Sequence, residues 1–257
     1  LYLYSNDLQC FIEKPLNLLQ MPLLRSIVHM DLDTFFVSCE RLLDSRLNHK
    51  PILIGGTSDR GVVASCSYEA RKFGIHSAMP MRMAKQRCPE AIVIKGNSST
   101  YTKYSRLVTD IIKEASPLYE KSSIDEFYID FTGMDRFHGV LKYSSELRQR
   151  ILKETGLPIS FGLSENKTVS KIATGEAKPD NQIQISYGNE KNFLRPLSVR
   201  KIPMVGLKTY QSLCNLGIRT IKPIQEMPVE MMERIMGRNG VGIWKKANGI
   251  DLTPVVQ

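Results

Sequence analysis

Hydrophobic and polar positions alternate along this chain in two rhythms, period two and period 3.6, and the changes between them mark its elements. SIVHMDLD (26–33) alternates and predicts a strand; TFFVSCERLLDS (34–45) then takes helical spacing, with Phe35, Val37, Leu42 and Leu43 apolar and Thr34 as a cap. PILIGG (51–56) and GVVAS (61–65) read as short strands joined by the turn-rich TSDR. SYEARKFG (67–74) reads as a short helix closed by Gly74 in a left-handed position. MPMRMAKQRCP (79–89) is a helix stopped by Pro89 before the strand AIVIK, and a longer helix is expected from Ser98 to Ala115. SSIDEFYIDFTG (122–133) alternates again; a helix (138–156), the strand PISFGLS (158–164), the helix SENKTVSKIATGEAKP and the strand IQISY (183–187) follow. The remainder reads as helical. Strands interleaved irregularly with helices predict an α+β fold: a mixed or antiparallel sheet flanked by helices, with smaller units attached. No internal repeat or low-complexity segment is present.

The chemistry collects on the strands. Asp125 and Glu126 lie side by side in the middle of the strand 122–133, and neighbours on a strand point to opposite faces. Two acids on a half-buried strand are costly unless something positive neutralises them. Asp31 and Asp33 occupy the first strand, so acids from two distant segments can meet on neighbouring strands. Three converging carboxylates suit a hard divalent cation, and a pair of such ions can activate a hydroxyl and steady a leaving pyrophosphate. Taken singly, such acidic pairs are better read as solvated strand ends. Tyr68 and Arg71 share a helix face at a spacing of three, beside Lys72; Lys167, Lys171 and Lys178 punctuate a later helix, and an anion would relieve their like charge.

Charge sharpens this picture. The formal net charge of +9 favours a polyanionic partner. It is uneven, with 11 Lys+Arg against 5 Asp+Glu in residues 186–257, so the C-terminal quarter is the expected polyanion-binding surface. No apolar run approaches a bilayer span, which excludes a transmembrane helix, and no membrane partner is expected. Cys10, Cys39, Cys66, Cys88 and Cys214 are scattered, as free thiols in a reducing compartment are, and form no zinc spacing. His29, His49, His76 and His138 read as surface or satisfied core residues. Residues 1–25 make a poor signal peptide and read as an N-terminal extension without assigned function.

In order along the chain, HMDLDTFFVSCE, GVVASCSYEARKFGIHSAMPMRMAKQRCP, SSIDEFYIDFTG, ISFGLSENKTVSKIATGEAKP, IPMVGLKTYQSLCNLGIRTI and WKKANGID together resemble the Y-family (translesion) DNA polymerases, most closely the DNA polymerase IV branch. The resemblance runs from about Ser26 to Gln257. It implies a palm (26–34 and 101–185), small α/β fingers (35–100) and an all-helical thumb (186–257) with a helix-hairpin-helix. By matching motif positions it makes Asp31, Asp125 and Glu126, with the main-chain carbonyl of Leu32, the ligands of two magnesium ions, and leaves Asp33 structural. Phe36 matches the steric gate against a 2′-hydroxyl. Tyr68, Arg71 and Lys171 match triphosphate-binding residues, and Ser65 stands near the nascent base pair. Val205, Gly206, Lys208 and Thr209 match the DNA-gripping hairpin. The implied partners are primer-template DNA and a deoxynucleoside triphosphate. The implied setting is the bacterial cytoplasm, at the nucleoid.

Three departures stand out. The hairpin pattern P-G-[IV]-G appears as Pro203-Met204-Val205-Gly206, and losing the first glycine is expected to restrict the hairpin and weaken its phosphate contact. Phe127 replaces the small residue usual after D-E; it is expected to repack and not to crowd the site. The family continues into a little finger domain and a sliding-clamp-binding tail; the chain ends at Gln257 and so reads as a catalytic core without the little finger, with reduced DNA affinity and processivity. Two other classes fit part of the pattern: a palm-type nucleotidyl cyclase, which needs no basic thumb, and a catalytically weak DNA-binding fragment.

Overall fold

The computed structural model describes residues 24–134 and 139–257. Cys10, His138 and nearly all of the N-terminal extension therefore lie outside the described residues. In chain order come β1 (Ile27–Leu32), α1 (Phe35–Leu43), β2 (Ile52–Gly55), β3 (Val63–Cys66), α2 (Tyr68–Arg71), α3 (Met81–Arg87), β4 (Ile92–Ile94) and α4 (Ser98–Ala115). Then follow β5 (Tyr119–Lys121), β6 (Glu126–Asp130), α5 (Val140–Thr155), β7 (Ile159–Ser164), α6 (Lys167–Ala177) and β8 (Gln182–Gln184). The helices α7 (Glu190–Leu194), α8 (Leu207–Asn215), α9 (Ile221–Glu226), α10 (Val229–Met236) and α11 (Arg238–Ala247) complete the order. The fold is α+β, as the pattern predicts.

The five-stranded sheet runs β5-β6-β1-β7-β8, antiparallel except for the parallel β7–β8 pair. Strand alternation divides its faces. Val28, Met30 and Leu32 of β1, Phe127 and Ile129 of β6, and Ile159, Phe161 and Leu163 of β7 share one core with α4, α5 and α1. The opposite face is polar along β1 and β7, with His29, Asp31, Ser160 and Ser164, and α6 covers it. Gly162 makes that possible, because a Cβ there would stand 2.3 Å from the Ser170 carbonyl oxygen. With the two backbones this close, the Ser170 hydroxyl donates to the Ile27 carbonyl (2.7 Å) and the Thr174 hydroxyl to that of His29 (2.8 Å). The sequence thus lays α6 across the strand that carries Asp31.

The other face of α6 (Val169, Ile172, Ala173) joins the core of α7–α11, so α6 lies between the sheet and the helical unit. A three-stranded sheet, β3-β2-β4, encloses a small core of its own with Leu53, Val63, Met81 and Cys88. Cys39, Cys66, Cys88 and Cys214 are free. Among the described residues no helix is long and apolar enough to cross a membrane.

Two local expectations need correction. The strand expected over 122–133 begins only at Glu126, so the acidic pair stands at its start and not in its middle. The Ser123 hydroxyl causes this: its oxygen accepts from the Asp125 and Glu126 N–H groups (3.3 and 3.1 Å), a turn that ends the alternation. Thr34 precedes α1 but does not cap it with its side chain; its backbone is left-handed, at φ 42°.

Candidate active site

The acids meet where β1 ends. Asp31 and Glu126 are cross-strand neighbours, and the Leu32 N–H donates to the Asp125 carbonyl at 3.1 Å. Asp125 is held by Ser123, whose hydroxyl donates to its Oδ1 at 2.6 Å. Asp31, Leu32 and Asp125 line a cleft of about 220 Å³ together with Thr34, Phe36, Ala64, Ser65, Arg71, Ser77 and Lys178. Residues expected from three separate segments therefore open onto one space.

Cations from the α6 segment answer the acids. Lys178, just past the helix, places Nζ 2.5 Å from Asp31 Oδ1 and 3.3 Å from the Leu32 carbonyl oxygen. Lys171 grips both Glu126 oxygens at 2.6 and 2.7 Å. Burial pushes the Asp31 carboxyl well above the ordinary carboxylate range although Lys178 pulls it down; Glu126 and Asp125 add to the rise. His29 lies beneath, 1% exposed, with Nδ1 2.9 Å from the Thr174 hydroxyl and Nε2 4.0 Å from Glu126. Burial, then Lys171 and Lys178, lower its pKa well below the ordinary value. Its imidazole is neutral and forms no ion pair with Glu126.

The expectation of three converging carboxylates is met at the backbone and not at the side chains. Among the described residues no three His, Cys, Asp or Glu side chains group as metal ligands, and Lys178 and Lys171 each engage one acid. The donor set still fits a hard divalent cation: carboxylate and carbonyl oxygens from adjacent backbone positions.

Asp33 turns away from the cleft. It is buried and accepts from Ser160 Oγ (2.8 Å), Asp180 N (2.7 Å) and Tyr68 OH (3.2 Å). Tyr68 thus serves Asp33, while the Arg71 guanidinium sits 5.0 Å from the Tyr68 ring centroid and lines the cleft. Lys171, expected to hold a triphosphate, is outside the lining; Lys178 is inside it. Sequence spacing alone did not separate these two lysines, since only the end of α6 decides which one reaches β1. Ser77 and Thr34 were likewise unforeseen. Phe127 is fully buried in the core on the face opposite Glu126, which is repacking without crowding.

In the helical unit, Met204 takes φ 80°, the left-handed conformation its missing glycine would have supplied. The Val205 and Gly206 N–H groups donate to the Ile202 and Met204 carbonyls (3.0 and 3.1 Å), so they are not turned outward. The next N–H groups, Leu207 to Thr209, begin α8 without a side-chain cap. Thr209 shares a pocket of about 190 Å³ with Arg238 and Lys246, two cations the hairpin pattern did not include.

Comparison with known proteins places the chain in a family. The model of the impB/mucB/samB family matches residues 30–175. A "DNA polymerase IV" of Dehalococcoides mccartyi is 41% identical over 234 residues, 90% of this chain and 60% of that protein. A "DNA polymerase IV" of Clostridioides difficile is 38% identical, over 90% of this chain and 64% of that protein. The chain thus spans about 60% of the length of the curated relatives it matches. Among solved structures, DinB from Sulfolobus solfataricus superposes with a TM-score of 0.81 at 28% identity, covering 90% of this chain and 69% of that one. An insertion ternary complex of Dbh DNA polymerase gives 0.79 at 27% identity, with the same coverage of each chain.

Proposed function

The chain belongs to the impB/mucB/samB family, that of the Y-family DNA polymerases, and from that premise we propose that it is a template-directed DNA polymerase core of the translesion type. In the proposed reaction a primer 3′-hydroxyl attacks the α-phosphate of a deoxynucleoside triphosphate and displaces pyrophosphate. One observation carries the reading: Asp31, Asp125, the Leu32 segment, Phe36, Ser65, Arg71 and Lys178 line a single cleft. We read residues 26–34 and 101–185 as the palm, 35–100 as the fingers and 186–257 as the thumb.

Asp31, Asp125, Glu126 and the Leu32 carbonyl would hold the metal. Bound there, two magnesium ions would acidify the attacking hydroxyl and neutralise the leaving pyrophosphate. The chain's own groups do the positioning. Arg71 and Lys178 supply positive charge to the triphosphate on the two walls of the cleft, and Lys178 exchanges Asp31 for phosphate as it does so. The uncapped start of α1, nine residues long, presents main-chain N–H groups to the same cleft. Phe36 forms the floor under the sugar, where its ring would meet a 2′-hydroxyl. Lys171 holds Glu126, so its effect on the nucleotide is indirect. Lys208, Thr209, Arg238 and Lys246 would meet duplex phosphates, and the setting we propose is the nucleoid of the bacterial cytoplasm.

The experiment is incubation of the whole chain with magnesium and all four deoxynucleotides, with and without primer-template. Extension that requires template supports the reading. Cyclic nucleotide formed without template would replace it with the cyclase, and DNA binding without either product would leave only a binding fragment.

A further inference from the structure

Phe36 is backed by a second ring. Its face lies on Tyr101 of α4, with centroids 4.4 Å apart and planes 16° from parallel. Phe35 closes the group, 5.5 Å from Phe36 and 6.3 Å from Tyr101. Tyr101 is 3% exposed, and its hydroxyl donates to Glu40 Oε1 at 2.6 Å. Glu40 follows Phe36 by one turn of α1, on the same face. Helix α1 therefore meets Tyr101 through three side chains, the Phe35 and Phe36 rings and the Glu40 carboxylate, and only the last is a polar tie. Burial and the Glu40 hydrogen bond both keep the phenol protonated, and so a donor.

A phenylalanine ring has a broad second torsion, and its angle is set by what it rests on. An aromatic neighbour can slide unless its polar end is tied. Here the tie is a charge-assisted bond from a residue on Phe36's own helix, so the gate and its support move as one body. We propose that Glu40 and Tyr101 are a positioning pair for sugar selection: their hydrogen bond fixes the Tyr101 ring, which fixes Phe36 at the angle that meets a 2′-hydroxyl. The proposal rests on the polymerase reading and on Phe36 as its gate. Neither residue of the pair lines the cleft, so both act through Phe36 and not on the nucleotide.

The test is single-nucleotide insertion by the whole chain, read as the ratio of kcat/KM for a deoxynucleotide to that for its ribonucleotide. Tyr101→Phe keeps the ring and loses the bond; Glu40→Ala loses the acceptor; Glu40→Gln keeps an acceptor oxygen of the same reach. The expected ratio falls about tenfold in Tyr101→Phe and Glu40→Ala, the loss of one charge-assisted hydrogen bond, and only about threefold in Glu40→Gln, where a neutral bond of about half the strength remains. Adding Tyr101→Phe to Phe36→Ala should change the ratio no further, which a general loosening of the fold would not reproduce. An unchanged ratio in Tyr101→Phe and Glu40→Ala, with a large fall in Phe36→Ala, overturns the pair while leaving the polymerase reading intact. An unchanged ratio in Phe36→Ala removes the gate, and the pair with it. Insertion of neither nucleotide by wild type refutes the polymerase reading itself.

Discussion

Asp31 is a carboxylate in a place that disfavours its charge, and Lys178 is what it leans on. Both side chains are about four-fifths buried, at 19% and 20% exposure, and Asp125 and Glu126 press on Asp31 from the adjoining strand. A cation so placed can be handed from carboxylate to phosphate with little movement. Lys178→Ala is therefore expected to raise the KM for the incoming deoxynucleotide by about ten- to a hundredfold, the value of one hydrogen bond to a charged group. Lys171→Ala, lacking contact with the cleft, should shift the magnesium concentration needed for half-maximal rate more than it shifts that KM. Initial-rate kinetics with nucleotide and magnesium varied separately would distinguish the two; equal KM effects would contradict the division of labour. Met204 presents the opposite case, a residue under strain with little to hold it. Its side chain is 78% exposed and its φ is 80°. A left-handed residue other than glycine costs about 1–2 kcal/mol, and glycine's greater unfolded freedom returns about half of that. Met204→Gly should stabilise the chain by roughly 0.5–1 kcal/mol, seen as a higher denaturation midpoint with unchanged slope; a lower midpoint would mean that the methionine makes contacts outweighing its strain.

At the scale of elements, α6 joins three parts of the molecule, and its first turn is capped twice. Asn166 Oδ1 accepts from the Val169 N–H at 3.0 Å, and Asp251, beyond α11, accepts from the Thr168 N–H (3.0 Å) and hydroxyl (2.7 Å). The segment after Asp251 lies against the sheet, with Val255 buried on Ile27 and Tyr128. Burial alone would raise the Asp251 carboxyl, but hydrogen bonds from Thr253 and Thr168 outweigh it and hold the pKa below the ordinary 3.8. A depressed carboxyl contributes stability that is full above the unfolded value and is lost as pH falls through the folded one. Asp251→Asn should therefore cost about 1 kcal/mol at neutral pH. That gap should narrow below pH 3.8 and close once the wild-type carboxyl is protonated in the folded state. Denaturant titrations of both proteins across acid pH would check this; a gap independent of pH would assign the cost to packing.

The whole molecule shows where sequence reading reaches and where it stops. Periodicity located β1, α4 and β7 because each buries a regular face, and the motif order carried Asp31, Phe36, Ser65 and Arg71 to one cleft. It misplaced Asp125 because a serine two residues earlier captures the backbone, and it overlooked β5, a three-residue edge strand with two charges. It left His29 open between a surface and a satisfied core residue, since nothing in HMDLD tells that α6 lies over that face. The Phe36–Tyr101 stack was out of reach for the same reason: 65 positions separate the rings, and only the packing of α1 on α4 joins them. The charge excess of residues 186–257 was legible, and it sets a whole-molecule expectation. DNA affinity should fall steeply with salt, and Arg238→Ala with Lys246→Ala should flatten that slope by about two; an unchanged slope would move the duplex off this face.

The acids at the end of β1 and the start of β6 are proposed to form a metal-dependent polymerising site. That assignment is tested most directly by primer extension with Asp125→Asn beside wild type, with each protein's thermal midpoint measured in parallel. Wild type should show template-dependent, magnesium-dependent extension, and the variant a loss of about a hundred- to a thousandfold at an unchanged midpoint. Extension by Asp125→Asn at the wild-type rate would contradict the assignment.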